Sequence, residues 1–381
     1  MKRVASNHQA YLAMVFLAVL LVTMSCTQAA QPTPATTAQR TTSVPAATKE
    51  PEQPKPSQAT PSAAKPAGLT LVRAGHMGIS SDVYTYIAIE KGYFKEEGID
   101  VELTFFDTAA KMIAPMAAGQ LDVGRGSPSA GLFNAIARGV PIKIVADVSR
   151  VTPNNNYFAL VARKDLIDSG VLKNYSDMKG KNVAYNAKGT GNEIDIEKAL
   201  KKGNLTPSDV NLIEMPFGDM NVGMANKAVD IALLTEPNIT LGEQKGISKL
   251  WKSGYDFTPA HQLSVLMFSP SFIKDKPEVA KRYMVAYVKG IRDYYEAFFK
   301  GKNKAEIISY LVKYTGTKDP ASFEKMVPHG VDPNGYVNAK SIMDDQDWFI
   351  AKGYSKDKID EKSLIDNQFV DYAIQRLGKY Q

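Results

Sequence analysis

The stretch AAGQLDVGRGSPSAGLFNAIA, Ala117–Ala137, decides how the chain is read. Gly119 ends a helix, because the left-handed residue after a helix is usually glycine. Leu121, Val123 and Gly124 give a short buried strand that starts at Asp122. Ser127 is a good N-cap and Pro128 a good first helical residue, since proline has no N–H to leave orphaned there. Backbone N–H groups at such a corner point past the carboxyl end of the strand, where open α/β sheets bind ligands.

The same grammar returns in ANKAVDIALLTEP, Ala225–Pro237: Asp230, an apolar strand, a polar corner of Thr235 and Glu236, then Pro237. Two such units suggest two α/β lobes, each aiming one strand-to-helix corner at a shared cleft.

Composition fits that picture. The chain has 381 residues, 44% hydrophobic, enough for two lobes with cores. The formal net charge is +6. Lys2 and Arg3 in the leader, and the surplus basic residues of Cys26–Gly68, carry most of it. Only about +2 is left on the part from Leu69 onward, which is no footprint for nucleic acid. The single cysteine, Cys26, rules out an internal disulfide and a cysteine metal cluster. The four histidines, at 8, 76, 261 and 329, are too scattered to suggest a zinc site. No metal and no cofactor is expected.

The leader, residues 1–25, has a charged start and an apolar run, Tyr11–Val22, of secretory length but short for a membrane span. Thr-Met-Ser-Cys follows and resembles a bacterial lipoprotein signal, with Cys26 as the residue to be acylated. Thr23 stands where leucine is usual, and an ordinary signal peptide is the alternative. Residues 26–68 hold eight of the 21 prolines with much Thr, Ala and Gln. They lack apolar periodicity, and the expectation is a disordered tether.

From Leu69 strands and helices alternate. Strands are expected at Leu69–Ala74, Ile99–Phe106, Asp122–Gly124 and Ile142–Val148. Helices are expected at Asp82–Lys91, Ala109–Ala118 (kinked or delayed by Pro115) and Pro128–Arg138. Arg150–Asn156 breaks the pattern. A second lobe then takes strands at Tyr157–Ala162, Asn182–Tyr185, Val210–Glu214 and Asp230–Leu234. Thr190 and Glu193 spell a capping box for a helix running to Lys202. His261–Phe268 reads as the return strand. Pro277–Phe299 is a long helix with one apolar stripe that includes Tyr283, Tyr287, Gly290 and Tyr294. Further helices are expected at Lys304–Tyr314, Ala339–Ala351 and Leu364–Leu377. Boundaries follow at 69–155 and 262–381 for lobe one and 156–261 for lobe two.

Motifs for chemistry are incomplete. Gly189-Thr190-Gly191 starts a dinucleotide fingerprint, but Ile194 occupies the third glycine position. The Gly126–Gly131 corner does not spell a nucleophile elbow, and no histidine has triad context. No catalytic residue is named, and an enzyme is not expected.

Several stretches resemble a known family: GHMGISSDVYTYIAIEKGYFKEEGIDVELTFF, AAGQLDVGRGSPSAGLFNAIARGVPIKIVAD, DMKGKNVAYNAKGTG and AVDIALLTEP, in that order. The chain is similar to the nitrate/sulfonate/taurine-type substrate-binding proteins of ABC importers, which are related to binders of thiamine-pyrimidine precursors. The resemblance implies an α/β, two-lobe periplasmic-binding-protein fold (type II). Each lobe would be a mainly parallel sheet flanked by helices, with the ligand cleft between lobes. It places the crossovers at Arg150–Tyr157 and Ala260–Ser264.

Candidate ligand contacts follow, each with a plainer alternative. Ser80 and Ser81 face the cleft or cap a helix. Gly126, Ser127 and Ser129 form the corner of the third strand. Thr190 and Gly191 answer from lobe two, or serve as caps. Glu236 accepts from an amine-bearing ligand or caps the next helix. Asn155 and Asn156, with Asn154, are hinge or contact. Arg125 pairs with a carboxylate or sulfonate, or is a surface residue. Tyr157, like Tyr84 and Tyr185, stacks on a ligand or belongs to the core.

The implied function is capture of a small organic anion or heteroaromatic solute for an ABC permease and its ATPase. The protein would lie beyond the cytoplasmic membrane, lipid-anchored on its outer face or in the periplasm. The alternatives are an enzyme related to thiamine-pyrimidine synthase and a ligand sensor without transport.

Overall fold

The computed structural model describes residues 68–381. The leader, Cys26 and all of the tether except Gly68 lie outside the described residues. Among the described residues, ten strands form two five-stranded sheets. They are β1 (Thr70–His76), β2 (Ile99–Phe105), β3 (Val123–Gly126), β4 (Lys143–Arg150), β5 (Phe158–Arg163), β6 (Asn182–Tyr185), β7 (Asn211–Glu214), β8 (Ile231–Thr235), β9 (Ser248–Ser253) and β10 (Gln262–Phe268). Sheet one has the order β2-β1-β3-β10-β4, and sheet two β7-β6-β8-β5-β9. In each sheet four strands run one way and one is reversed: β10 in the first, β5 in the second. The reversed strand is the one that enters its sheet directly from the other.

Central strands are buried on both faces, as strands covered by helices must be. All of Ile231–Thr235 and all of Val123–Gly126 are buried. The long helix Pro277–Lys300 lays Tyr283, Tyr287 and Tyr294 into the core of lobe one. Gly290 belongs to its apolar stripe for a steric reason. A Cβ there would sit 2.3 Å from the Tyr84 carbonyl oxygen, so only glycine lets the helices approach this closely.

Several expected boundaries shift. The helix after β3 runs Ala130–Ala137, and its N-cap is Ser129, whose Oγ accepts from Leu132 N at 3.3 Å. Ser127 and Pro128 therefore remain outside the helix. The capping box at Thr190 does not form. Thr190 Oγ1 donates to Ala187 O at 2.7 Å, and Glu193 takes Gly189 N rather than Thr190 N. Helix Ala110–Ala117 runs through Pro115. The last expected helix, Leu364–Leu377, begins only at Gln368, after a separate short helix Glu361–Leu364. Strand β9, SKLWKS, escapes the sequence because two lysines interrupt its apolar pattern; it is the edge of its sheet, where lysine is favoured.

The chain passes between sheets twice, from Arg150 to Phe158 and from Ser253 to Gln262. The second passage precedes the expected Ala260–Ser264, and Ser264 is already paired with Ser149 in sheet one. The two passages are bonded to each other, Val151 N to His261 O at 2.9 Å. A third segment runs beside them, with Arg150 N on Gly330 O at 2.9 Å and Asn155 Nδ2 on Pro328 O at 2.7 Å.

Candidate functional site

The corner after β3 is set by Gly126, at φ 146°. A Cβ there would fall 2.0 Å from Ala109 Cβ, so no larger residue fits without displacing the start of the preceding helix, Ala110–Ala117. This turn presents Ser127 to the other lobe. Ser127 Oγ accepts from Gly191 N at 3.0 Å, and Ala130 N donates to Gly189 O at 2.9 Å. Ser129 and Thr190 form a bridge beside these bonds. On the other flank, Ser80 Oγ donates to Glu236 O at 2.8 Å. The lobes are thus latched together at both sequence-singled corners.

Arg125 lies one residue before that turn. It is only 4% exposed, so the surface alternative does not hold. Its Nη2 donates to Ser81 Oγ at 2.8 Å, its Nε faces Asp82 Oδ1 at 3.2 Å, and its Nη1 has only Met77 Sδ, at 3.7 Å. Asp82 Oδ2 accepts from Met77 N, Ile79 N and the Tyr86 hydroxyl. One buried carboxylate therefore shapes the first loop and offsets the guanidinium charge. Sequence reasoning passed over Asp82, taking it as a helix start.

Between the corners lies a cavity of about 60 Å³, lined from both lobes. Arg125 is the only charged residue among those lining it. Hydroxyls of Ser81, Ser127, Ser149, Thr190, Thr235 and Ser264 surround it. Two lining groups are buried without a hydrogen-bond partner, Ser264 Oγ and Asn186 Nδ2. An unpaired buried donor is costly, so both are disposed to meet a ligand. Ser149, Ser264 and Asn186 were not foreseen; nothing in the linear sequence marks residues inside strands and loops that face a cleft.

Tyr157 lines the cavity, and burial raises its hydroxyl pKa, against the pull of Ser80, Ser81 and Arg125. His329 lies 5.0 Å from the Tyr157 ring. Burial and then the Arg125 charge push its pKa down to about 3, so it is neutral. The Tyr84 and Tyr294 hydroxyls hold its two nitrogens, at 2.7 and 2.9 Å. Tyr84 is thus a core residue.

Other candidates do not line the cavity. Glu236 turns its carboxylate onto Thr240 N (2.9 Å), Thr240 Oγ1 (3.0 Å) and Val327 N (3.3 Å). That is the helix-capping alternative, and burial raises its pKa. Ser129 is a cap. Asn155 accepts from Tyr157 N at 2.8 Å and, with Asn156, belongs to the crossover. Gly191 provides its N–H to Ser127 and has no room for a side chain. A Cβ would lie 2.6 Å from Ser127 Oγ and 3.1 Å from His261 Cε1.

That last contact leads to a buried triad. His261 Nδ1 lies 2.8 Å from Asp195 of lobe two, and Nε2 lies 3.0 Å from Asp345 of helix Ala339–Ala351. Burial alone would depress the imidazole pKa. The two carboxylates outweigh it and raise it to about 10, so the ring is charged at neutral pH. The crossover is thereby clamped to both lobes.

The family model described as NMT1/THI5 like matches residues 81–297. A Brucella abortus protein named only as a binding protein is 25% identical over 302 residues, covering 76% of this chain and 86% of that one. The 4-amino-5-hydroxymethyl-2-methylpyrimidine phosphate synthase of Aspergillus parasiticus is 26% identical, over 40% of this chain and 44% of its own length. Among solved structures, the alkanesulfonate-binding protein SsuA of Xanthomonas axonopodis pv. citri, bound to MOPS, has a TM-score of 0.62 at 17% identity. It covers 79% of this chain and 99% of that one. The nitrate-binding protein NrtA of Synechocystis PCC 6803 has a TM-score of 0.67 at 16% identity, covering 81% and 89%. The fold is that of periplasmic binding proteins.

Proposed function

The chain belongs to the NMT1/THI5-like family, and on that premise we propose that it is a solute-binding protein of the ABC-import type that captures a small organic anion. One observation carries the choice of anion: Arg125 is the sole charged residue lining a small cavity between the lobes, among hydroxyl, amide and apolar groups. Its Nη1 has only a thioether partner, and Asn186 Nδ2 has none. A carboxylate or sulfonate fits such a donor set, because its oxygens could accept a charge-assisted bond from Nη1 and a second bond from the Asn186 amide. Polar groups from both lobes line the cavity, so a bound solute would favour the closed form. A permease and its ATPase would receive that form, and Cys26 would carry a lipid anchor outside the cytoplasmic membrane. Most of the similar proteins are binding proteins, which supports binding over catalysis, and the pyrimidine synthase matches 40% of the chain.

Calorimetric titration with acetate, methanesulfonate and methylammonium tests this. The two anions should bind and the cation should not, and Arg125→Met should abolish the anion heat while the variant stays folded. Equal binding of methylammonium, or anion binding unchanged in Arg125→Met, would refute the anion reading.

A further inference from the structure

The cavity at Arg125 does not end at its own walls. Met77, Ile79, Asn186 and Phe217 line it and also line a second space of about 880 Å³ that opens outward between the lobes. The inner space is small. At roughly 10–15 Å³ for each water-sized occupant, it holds only a handful of atoms, the size of an acid group. A larger solute held at Arg125 has room to extend past those four residues into the outer groove.

The groove has a defined chemistry. Phe105, at the end of β2, is 63% exposed although it is a large aromatic residue. Its ring stands edge-on to His76 at 5.9 Å, and His76 stands edge-on to Tyr86 at 6.0 Å. Tyr86 stacks on Tyr314 at 4.5 Å, so the wall that Phe105 and Tyr314 give the groove is braced from behind by His76 and the buried Tyr86. Burial lowers the His76 pKa, which favours an uncharged ring. Phe217 and Leu241 face the wall from lobe two. The charged residues lining the groove balance, Lys245 and Lys318 against Asp107 and Asp319.

We infer that the solute is an aromatic acid: its carboxylate or sulfonate sits at Arg125, and its flat uncharged ring system lies in the outer groove against Phe105. This rests on the anion reading and adds the second half of the molecule. Aromatic pairs prefer edge-on or offset geometries, which a fixed wall of rings offers and an aliphatic chain does not exploit.

The test compares acetate, octanoate and 1-naphthoate by calorimetry on the wild type and Phe105→Ala. Phe105 is exposed, so its removal leaves the core intact. Naphthoate should bind at least ~tenfold more tightly than acetate and more tightly than octanoate, from added apolar burial. Phe105→Ala should weaken naphthoate severalfold and leave acetate unchanged. Naphthoate no tighter than acetate, or indifferent to Phe105→Ala, overturns the inference while leaving the anion reading intact. Octanoate as tight as naphthoate overturns the aromatic assignment. Failure of all three acids to bind overturns both.

Discussion

Ser127 Oγ accepts a hydrogen bond from Gly191 N at 3.0 Å, and this bond joins the two lobes at the corners that define them. Each residue exists at its place for a steric reason. Gly126 turns the chain so that Ser127 faces across the cleft, and Gly191 leaves room for the serine hydroxyl.

Closure should therefore fail when that room is filled. In Gly191→Val the new side chain would meet Ser127 Oγ and His261 Cε1. The variant should fold but stay more open, with a larger radius of gyration by small-angle scattering when 1-naphthoate or methanesulfonate is saturating. Affinity for the same anion should fall at least ~tenfold, about the 1.4 kcal/mol of one lost interlobe hydrogen bond. A variant with wild-type radius and affinity would show that this contact does not govern closure.

The triad at His261 predicts a pH dependence. Its folded pKa, about 10, lies above the unfolded value of 6.5. The sign follows: the contribution is fully present below pH 6.5 and disappears as pH rises through 10. The stability gap between wild type and His261→Gln, measured by denaturant titration, should therefore be largest near pH 6 and shrink steadily toward pH 10. Near neutrality the gap should be about 3–5 kcal/mol, as for a buried pair broken on one side. A gap that stays constant across that range would mean the imidazole is not charged in the fold.

Gly290 gives a test of packing alone. A methyl group at Gly290→Ala would press on the Tyr84 carbonyl oxygen. The expected loss is about 1–3 kcal/mol in denaturant unfolding, even though alanine is the better helix former. Any gain in stability would mean that the helices are not held this close.

The anchor is tested separately. Cys26→Ser should move the protein from the detergent phase to the aqueous phase on expression in a bacterial host with its leader intact. Wild-type protein that is wholly aqueous would remove the lipid anchor from the account.

The sequence made every strand but the edge strand β9 legible because buried strands alternate with helices that carry clear apolar stripes, as in Pro277–Lys300. It made the two corners legible because glycine, serine and proline cluster there. It took Ser127 as the cap, where the helix uses Ser129. Both are good N-caps, and only the turn at Gly126 decides which one the helix uses. It also placed Glu236 among ligand contacts, when burial and Thr240 turn the carboxylate inward. Asp82, Ser264 and Asn186 stayed hidden because their importance lies in long-range neighbours: Arg125 is 43 positions from Asp82 in the chain but 3.2 Å away in space. The resemblance to a transport family carried more about function than any single residue did.

The most direct measurement is native mass spectrometry of protein purified from its producing cells without denaturation, alongside Arg125→Met. The wild type should carry one additional small molecule, an acid by its fragmentation, and the variant should carry none. A cationic or uncharged passenger on the wild type, or the same passenger retained by Arg125→Met, would contradict the account.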